Sequence, residues 1–182
     1  MKINKASVHI AIYVLAIIFL GFSIFRIFLM PSEKNNTSTV PLFTSIINDP
    51  EGKPQSLKQF ENKIIVLNFW ATWCEPCREE MPELSNFYTE NSSKNVVVIG
   101  IAIDEAKAVK SYLKKTKVMY PILVDEDKGV ILSKNLGNNQ GILPYTVIIN
   151  SNGSVQKTIF GRIHKDQLDA TLKPLLQPSK SL

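Results

Sequence analysis

The feature that most constrains the fold of this sequence is a pair of cysteines between an apolar run and an amphipathic segment. The run Ile64–Phe69 (IIVLNF) is short and rich in β-branched residues, which is typical of a strand buried on both faces of a sheet. The segment Glu75–Tyr88 predicts a helix, and Asn95–Ile103 (NVVVIGIAI) predicts a second buried strand. Cys74 and Cys77 therefore lie where the first strand ends and the helix starts.

The rest of the folded part continues the alternation of strands and helices. Asp104 is expected to be the N-cap of a helix that runs to Lys117. Further elements are predicted at Ile122–Val124 (strand), Gly129–Leu136 (helix), Tyr145–Asn150 and Val155–Phe160 (antiparallel hairpin), Lys165–Leu176 (helix) and Val40–Asn48 (early strand). This order predicts an α/β fold with a mixed central sheet flanked by helices.

The N-terminal region has the composition of a membrane anchor. Ile10–Phe25 contains no charged residue, and the apolar segment continues past Arg26 to Met30. About 20 apolar residues suffice to span a bilayer as a helix. A cleaved signal peptide is the alternative, but the small-x-small site Gly21–Ser23 is followed by further apolar residues rather than by a polar start. We therefore expect an uncleaved transmembrane helix.

This anchor predicts the domain organisation and the location of the protein. Residues 1–31 are expected to form the membrane anchor, residues 32–39 a polar linker, and residues 40–182 the folded domain. Lys2 and Lys5 precede the apolar segment, which weakly favours a cytoplasmic N-terminus. The predicted location is the bacterial inner (cytoplasmic) membrane, with a single span and the C-terminal domain facing the periplasm or cell exterior.

The charge distribution argues against a nucleic-acid partner. The formal net charge is +5, but residues 1–40 contribute four basic residues and one acidic residue. The remaining 17 basic and 15 acidic residues give only +2. Without a basic stripe, the folded part lacks the electrostatic surface that phosphate backbones require.

The spacing of the two cysteines predicts redox chemistry. Two intervening residues bring the sulfurs within bonding distance across the first helical turn, and the helix N-terminus favours the thiolate of Cys74. Cys74 is therefore the expected nucleophile and Cys77 the resolving thiol. An inert disulfide is one alternative, although so short a loop constrains the unfolded chain little. A second alternative is that the two cysteines form half of a zinc site. Such a site needs two further ligands, and the only histidines in the sequence are His9 and His164.

The residues around the cysteines resemble a known family. The string from Val66 to Pro82 (VLNFWATWCEPCREEMP) resembles the membrane-anchored TlpA/ResA group of bacterial thioredoxin-fold thiol-disulfide oxidoreductases. Gly141–Asn150 (GILPYTVIIN) is similar to that family's cis-proline segment, and Pro121–Asp125 to its extra strand. The resemblance covers roughly residues 40–176 and implies a thioredoxin-like fold, with no cofactor and no metal.

The resemblance also assigns roles to individual residues. It implies that Cys74 and Cys77 are catalytic and that Pro144 is a cis-proline beside the disulfide, whereas the sequence alone leaves cis and trans equally open. A cis bond there would expose the backbone of Leu143 for strand-like pairing with a partner segment. Leu143 and Pro144 are therefore candidates for substrate binding. Trp73 is a third candidate because it directly precedes Cys74, although a tryptophan at such a position more often packs at the rim of the core.

Glu80 is the remaining candidate catalytic residue. Thioredoxins of the cytoplasm carry a buried Asp where Asn68 stands here, and Asn cannot titrate. Helical periodicity places Glu80 one turn beyond Cys77 on nearly the same face, while Glu79 is expected to point to solvent. A glutamate at this position tunes the cysteines in the resembling family. The alternative is that Glu80 is an ordinary surface charge.

These assignments predict an extracytoplasmic thiol-disulfide oxidoreductase. The start of the predicted helix carries three acidic residues, Glu75, Glu79 and Glu80. Their negative charge opposes formation of the thiolate, which favours a protein that reduces disulfides rather than one that forms them. The resemblance implies cysteine-containing protein substrates such as apocytochrome c, in cytochrome c maturation, with an integral-membrane thiol carrier as electron donor. The alternative function is a copper-binding metallochaperone on the same fold, although no further His or Met is visible near the thiols.

Overall fold

The computed structural model describes residues 13–22 and 38–176. The chain divides into two units, residues 1–36 and residues 37–182. Residues 13–22 are helical. Across the two described ranges, no helix combines the length and the apolar character needed to cross a membrane. Most of the predicted anchor Ile10–Met30 lies outside the described residues, as do residues 32–37 of the predicted linker.

The second unit contains five α-helices and seven strands within residues 38–176. The strands are β1 (Ile46–Asn48), β2 (Pro54–Ser56), β3 (Ile64–Trp70), β4 (Val96–Ala102), β5 (Ile122–Val124), β6 (Tyr145–Ile149) and β7 (Val155–Phe160). The helices are α1 (Val40–Phe43), α2 (Glu75–Asn91), α3 (Ala106–Leu113), α4 (Glu126–Asn135) and α5 (Lys165–Leu172). Two short 3-10 helices lie at Leu57–Phe60 and Ser92–Lys94.

The seven strands form one mixed sheet in the order β2-β1-β5-β4-β3-β6-β7. Strands β3, β4 and β5 are parallel, and the remaining pairs are antiparallel. Every residue of β3 and β4 is buried, as expected for central strands covered by helices on both faces. The predicted mixed α/β architecture is confirmed.

Two apolar clusters hold the helices to the two faces of the sheet. On one face, Met81 and Leu84 of α2 pack with Val66 and Val98 of the central strands, and α3 and α5 join the same cluster. On the other face, Leu42 of α1 and Leu132 of α4 pack with alternate strand residues. Burial of each such side chain contributes about 1.5–3 kcal/mol.

Side chains of β5 and β3 lie unusually close to the backbone of β4 at Gly100. A Cβ at this position would lie 2.7 Å from Cδ1 of Ile122 and 3.1 Å from Nε1 of the fully buried Trp70. Only glycine therefore fits there without a shift of its neighbours. Trp70 is thus a core residue.

Several predicted boundaries are wrong. The expected strand Val40–Asn48 is a helix in its first half, where Pro41 occupies the first turn, and only Ile46–Asn48 pairs in the sheet. The helix expected over residues 104–117 is shorter: it spans Ala106–Leu113, and its N-cap is Glu105 rather than Asp104. Strand β2, which is rich in polar residues, was not predicted.

Candidate active site

The two cysteines form a disulfide at the junction between β3 and α2. The Sγ atoms lie 1.97 Å apart and the Cα atoms 5.3 Å apart. Cys74 is the N-cap of α2, and its Sγ accepts a hydrogen bond of 3.3 Å from the backbone N–H of Cys77. This N–H is one of the donors that the first helical turn leaves without an intrahelical partner. The helix start therefore stabilises negative charge on the Cys74 sulfur.

The two sulfur-bearing residues differ in accessibility. Cys74 is 6% exposed, whereas Cys77 is 0% exposed within the apolar cluster under α2. Pro76 lies in the first turn, where its missing N–H costs no intrahelical hydrogen bond. An incoming thiol or disulfide therefore reaches Cys74 first, which agrees with the predicted order of nucleophile and resolving thiol.

The side chain of Glu80, a residue of α2, is fully buried. Its carboxylate accepts hydrogen bonds from two different parts of the fold. Its Oε1 accepts a hydrogen bond of 2.7 Å from Nδ2 of Asn68 on β3, and its Oε2 accepts one of 2.9 Å from the backbone N–H of Ile163. Nδ2 of Asn68 also donates to Oγ1 of Thr146 at 3.0 Å, across the β3–β6 pair. The alternative of an ordinary surface charge is therefore wrong for Glu80.

Burial raises the pKa of Glu80 from 4.5 to about 7. The hydrogen bonds from Ile163 and Asn68 oppose this rise, as does the charge of Arg162, but the loss of hydration outweighs them. The carboxyl group is thus poised to gain and lose a proton near neutral pH. Its role in the reaction stays a prediction.

Ion pairs around Glu80 correct the charge argument made from the sequence. Glu79 is exposed, as expected, but it is not a free charge, because its Oε2 lies 2.5 Å from Nη1 of Arg162. Nη2 of Arg162 also lies 2.9 Å from Oε1 of Glu83. Glu79 is therefore paired, and Glu80 is only partly ionised near neutral pH. Within residues 13–22 and 38–176, Glu75 has no ion-pair partner, but it is exposed to solvent. The expected preference for reduction therefore depends chiefly on Glu80.

Asp104 contacts the active-site turn instead of capping α3. Its Oδ2 accepts hydrogen bonds from the backbone N–H of Thr72 at 2.8 Å and from the Thr72 hydroxyl at 2.6 Å. The backbone N–H of Cys74 donates to the carbonyl of Ala71 at 3.2 Å in the same turn. The segment just after β4 thus fixes the turn that carries Cys74. Helix-capping preferences alone could not predict this contact.

The substrate-binding candidates border the disulfide or lie in the segment before β6. The side chain of Trp73 is 69% exposed, so this residue is not part of the core. The Leu143–Pro144 bond is cis, as the resemblance implied. Within the part of the chain that the structure describes, neither the backbone N–H nor the carbonyl of Leu143 makes a hydrogen bond. Binding of substrate by these three residues stays a prediction.

No group of three or more His, Cys, Asp or Glu side chains placed to hold a metal ion is found within residues 13–22 and 38–176. His164 precedes α5, where its backbone N–H donates to the side chain of Gln167 at 3.2 Å.

A thioredoxin-like fold with a CxxC disulfide at the start of a helix defines a thiol-disulfide oxidoreductase. Residues 37–158 match the model of the AhpC/TSA family, and the chain belongs to this family.

Curated relatives agree with this class along almost the whole chain. The chain is 31% identical over 177 residues to the thiol-disulfide oxidoreductase ResA of Bacillus cereus (strain ZK / E33L), covering 96% of this chain and 99% of that protein. It is 29% identical over 182 residues to the ResA protein of Bacillus subtilis (strain 168), covering 99% of this chain and 98% of that protein. The prediction of a ResA-like oxidoreductase is confirmed.

Solved structures share the fold. A putative thiol:disulfide interchange protein DsbE from Chlorobium tepidum superimposes with a TM-score of 0.66 at 20% identity, covering 73% of this chain and 93% of that chain. A thioredoxin-related protein from Neisseria meningitidis serogroup B superimposes with a TM-score of 0.63 at 32% identity, covering 72% and 98%. The likeness to the Chlorobium protein concerns the fold alone.

Proposed function

We propose that this oxidoreductase reduces disulfides in proteins outside the cytoplasm. The observation that carries this direction is the buried Glu80, one helical turn beyond Cys77. Above neutral pH its carboxylate opposes ionisation of the nearby thiols, since like charges in a poorly hydrated site repel strongly. Strongly oxidising members of the thioredoxin class do the reverse and stabilise the thiolate of the reduced form.

The reduction potential tests the direction of electron flow. We expect the Cys74–Cys77 couple to have a potential more negative than about −200 mV, closer to thioredoxin than to a strong oxidant such as DsbA. Equilibration of the full-length protein with dithiothreitol redox buffers at pH 7, followed by alkylation of free thiols and mass measurement, gives this value. A potential near about −120 mV would reverse the proposed direction.

The proposed substrates are proteins with cysteine pairs, with apocytochrome c as the first candidate in a cytochrome c maturation role. The resemblance to the TlpA/ResA group suggests this substrate, and the unpaired backbone of Leu143 next to Pro144 supplies an edge for an extended cysteine segment. An integral-membrane thiol carrier is the proposed electron donor.

Trapping identifies these partners directly. Replacement of Cys77→Ala in the full-length chain removes the resolving thiol, so mixed disulfides on Cys74 should accumulate in cells and be recovered for peptide mapping. Proteins with cysteine pairs should dominate, and the double variant Cys74→Ala, Cys77→Ala is the control for non-covalent capture. Equal recovery from both variants would contradict the proposal. Tight Cu(I) binding by the reduced wild type, without trapped partners, would favour the metallochaperone.

We propose further that the protein is anchored in the bacterial cytoplasmic membrane by its N-terminal apolar segment. The uncharged run Ile10–Phe25 supports this location. Full-length protein in membranes should resist carbonate extraction and keep its full mass, whereas deletion of residues 1–30 should release it. Recovery of the wild type in the soluble fraction at a shortened mass would mean that the segment is a cleaved signal peptide.

A further inference from the structure

Arg162, in the loop after β7, pairs with two carboxylates of α2 that lie on either side of Glu80 in the sequence. Its guanidinium binds Glu79 with Nη1 and Glu83 with Nη2, at 2.5 Å and 2.9 Å. The next residue of the loop, Ile163, donates its backbone N–H to Oε2 of Glu80 at 2.9 Å. The fork of the guanidinium therefore spans the helical turn that contains Glu80, while the adjacent peptide group binds Glu80 itself.

We infer that Arg162 is a positioning residue for Glu80, because its two ion pairs hold the loop whose peptide N–H binds the buried carboxylate. A planar guanidinium can bind two carboxylates in a fixed geometry, which a lysine ammonium cannot reproduce. The backbone N–H of Lys165, the first residue of α5, donates to Oε2 of Glu83 at 3.2 Å and holds the end of the same loop. The loop is thus fixed on both sides of Ile163.

The charges that face Glu80 determine the expected consequence. Glu83 on α2 raises the pKa of Glu80, and Arg162 on the loop lowers it. The segment before β5 contributes the buried Tyr120, whose own pKa is raised by burial and by the charge of Glu80. When the disulfide is reduced, the thiols of Cys74 and Cys77 are further titratable groups near Glu80. Strands β3 and β6 contribute only the uncharged side chains of Asn68 and Thr146.

Loss of Arg162 acts on Glu80 in one direction through three routes. The loop is no longer held by the two ion pairs, so the Ile163 N–H binds the carboxylate less firmly. The attraction of the guanidinium for the Glu80 carboxylate disappears, and Glu83 is left with its negative charge less compensated. All three changes disfavour the ionised form of Glu80. In Arg162→Met, the protonation midpoint of Glu80 should therefore move upward by about half a pH unit or more, since solvent screens part of each charge.

The carbon-13 signal of the Glu80 carboxyl group, followed against pH in the oxidised full-length protein, measures this midpoint. Its assignment comes from its absence in Glu80→Gln. Lys165→Met is the matched control, because the Lys165 side chain pairs with Glu90 of the same helix, α2, but does not contact Glu80. The control should titrate like the wild type. An unchanged midpoint in Arg162→Met, or an equal shift in the control, would overturn the inference.

A second variant keeps the test valid if Arg162→Met does not fold. Arg162→Lys retains one charge but pairs with one carboxylate at a time, so its midpoint should lie between those of the wild type and the methionine variant. A midpoint identical to the wild type would contradict the role of the guanidinium fork. The inference depends on the proposed function only for its effect on the thiols. A shifted Glu80 midpoint with unchanged thiol reactivity would support Arg162 as positioning residue and contradict the proposed role of Glu80.

Discussion

Replacement of Cys74→Ser should lower the rate of thiol-disulfide exchange by roughly a thousandfold or more. A serine hydroxyl is not ionised near neutral pH, so the nucleophile that attacks the substrate disulfide is lost. The helix start that stabilises the Cys74 thiolate remains in place in this variant, because the backbone N–H of Cys77 still points to residue 74. Turnover of a model peptide disulfide by the full-length protein, with dithiothreitol as reductant, measures the effect.

Cys77→Ser is the matched control for this prediction. It also lacks the disulfide, so any loss of stability is shared, but it retains the more accessible Cys74. This variant should attack a substrate disulfide once and then remain joined to it. Turnover by Cys74→Ser at a rate similar to the wild type would mean that Cys74 is not the nucleophile.

Replacement of Glu80→Gln should lower the pKa of the Cys74 thiol, because the carboxylate no longer opposes the thiolate. Alkylation at pH 7 should accelerate severalfold, and the inflection near pH 7 in the pH dependence of exchange should disappear. The amide fits the site if the Asn68 side-chain amide turns over, since the glutamine oxygen can accept from Ile163 and its Nε2 can then donate to Oδ1 of Asn68 in the place that Nδ2 occupies in the wild type. Alkylation rate against pH measures the change.

Stability gives an independent readout for the same substitution. The pKa of Glu80 is raised in the folded protein to about 7, so the stability gained by burying the protonated carboxyl is present below pH 4.5 and is lost as the pH rises through about 7. The loss amounts to about 3 kcal/mol in the free energy of unfolding. Denaturant unfolding of the oxidised protein at pH 4.5 and pH 8 should show this loss in the wild type but not in Glu80→Gln.

Glu90→Gln is the control for both measurements. Glu90 also lies on α2, but it is exposed and pairs with Lys165 far along the helix. This variant should keep the pH dependence of the wild type. Superimposable alkylation curves for wild type and Glu80→Gln would show that Glu80 does not influence the thiols.

The part of the site that could be predicted from the sequence is the part that is local in the chain. The order of strand, cysteine pair and helix follows from periodicity and from the chemistry of the first helical turn, and Ile122–Val124 and Val155–Phe160 have the predicted bounds. The position of Glu80 on the face of Cys77 is likewise a matter of helical spacing. The cis bond before Pro144 needed the family resemblance, because the sequence alone allows both isomers.

The contacts that could not be predicted join residues distant in the chain. Arg162 and Glu79 are 83 positions apart, and Asp104 and Thr72 are 32 positions apart. No periodicity or capping rule connects such pairs. Asp104 also satisfied the local preference for a helix N-cap, so the tertiary contact with Thr72 overrode a prediction that was sound by local rules.

The attack by Cys74 on a substrate disulfide is tested most directly by the mass of the covalent intermediate. The reduced full-length Cys77→Ser variant is mixed with a disulfide-linked peptide dimer and analysed by intact mass and peptide mapping. We predict the addition of one peptide, located on Cys74, and a much slower addition on Cys77 in the reciprocal Cys74→Ser variant. Absence of the adduct on Cys74, or equally fast modification of Cys77, would contradict the assignment of Cys74 as the nucleophile.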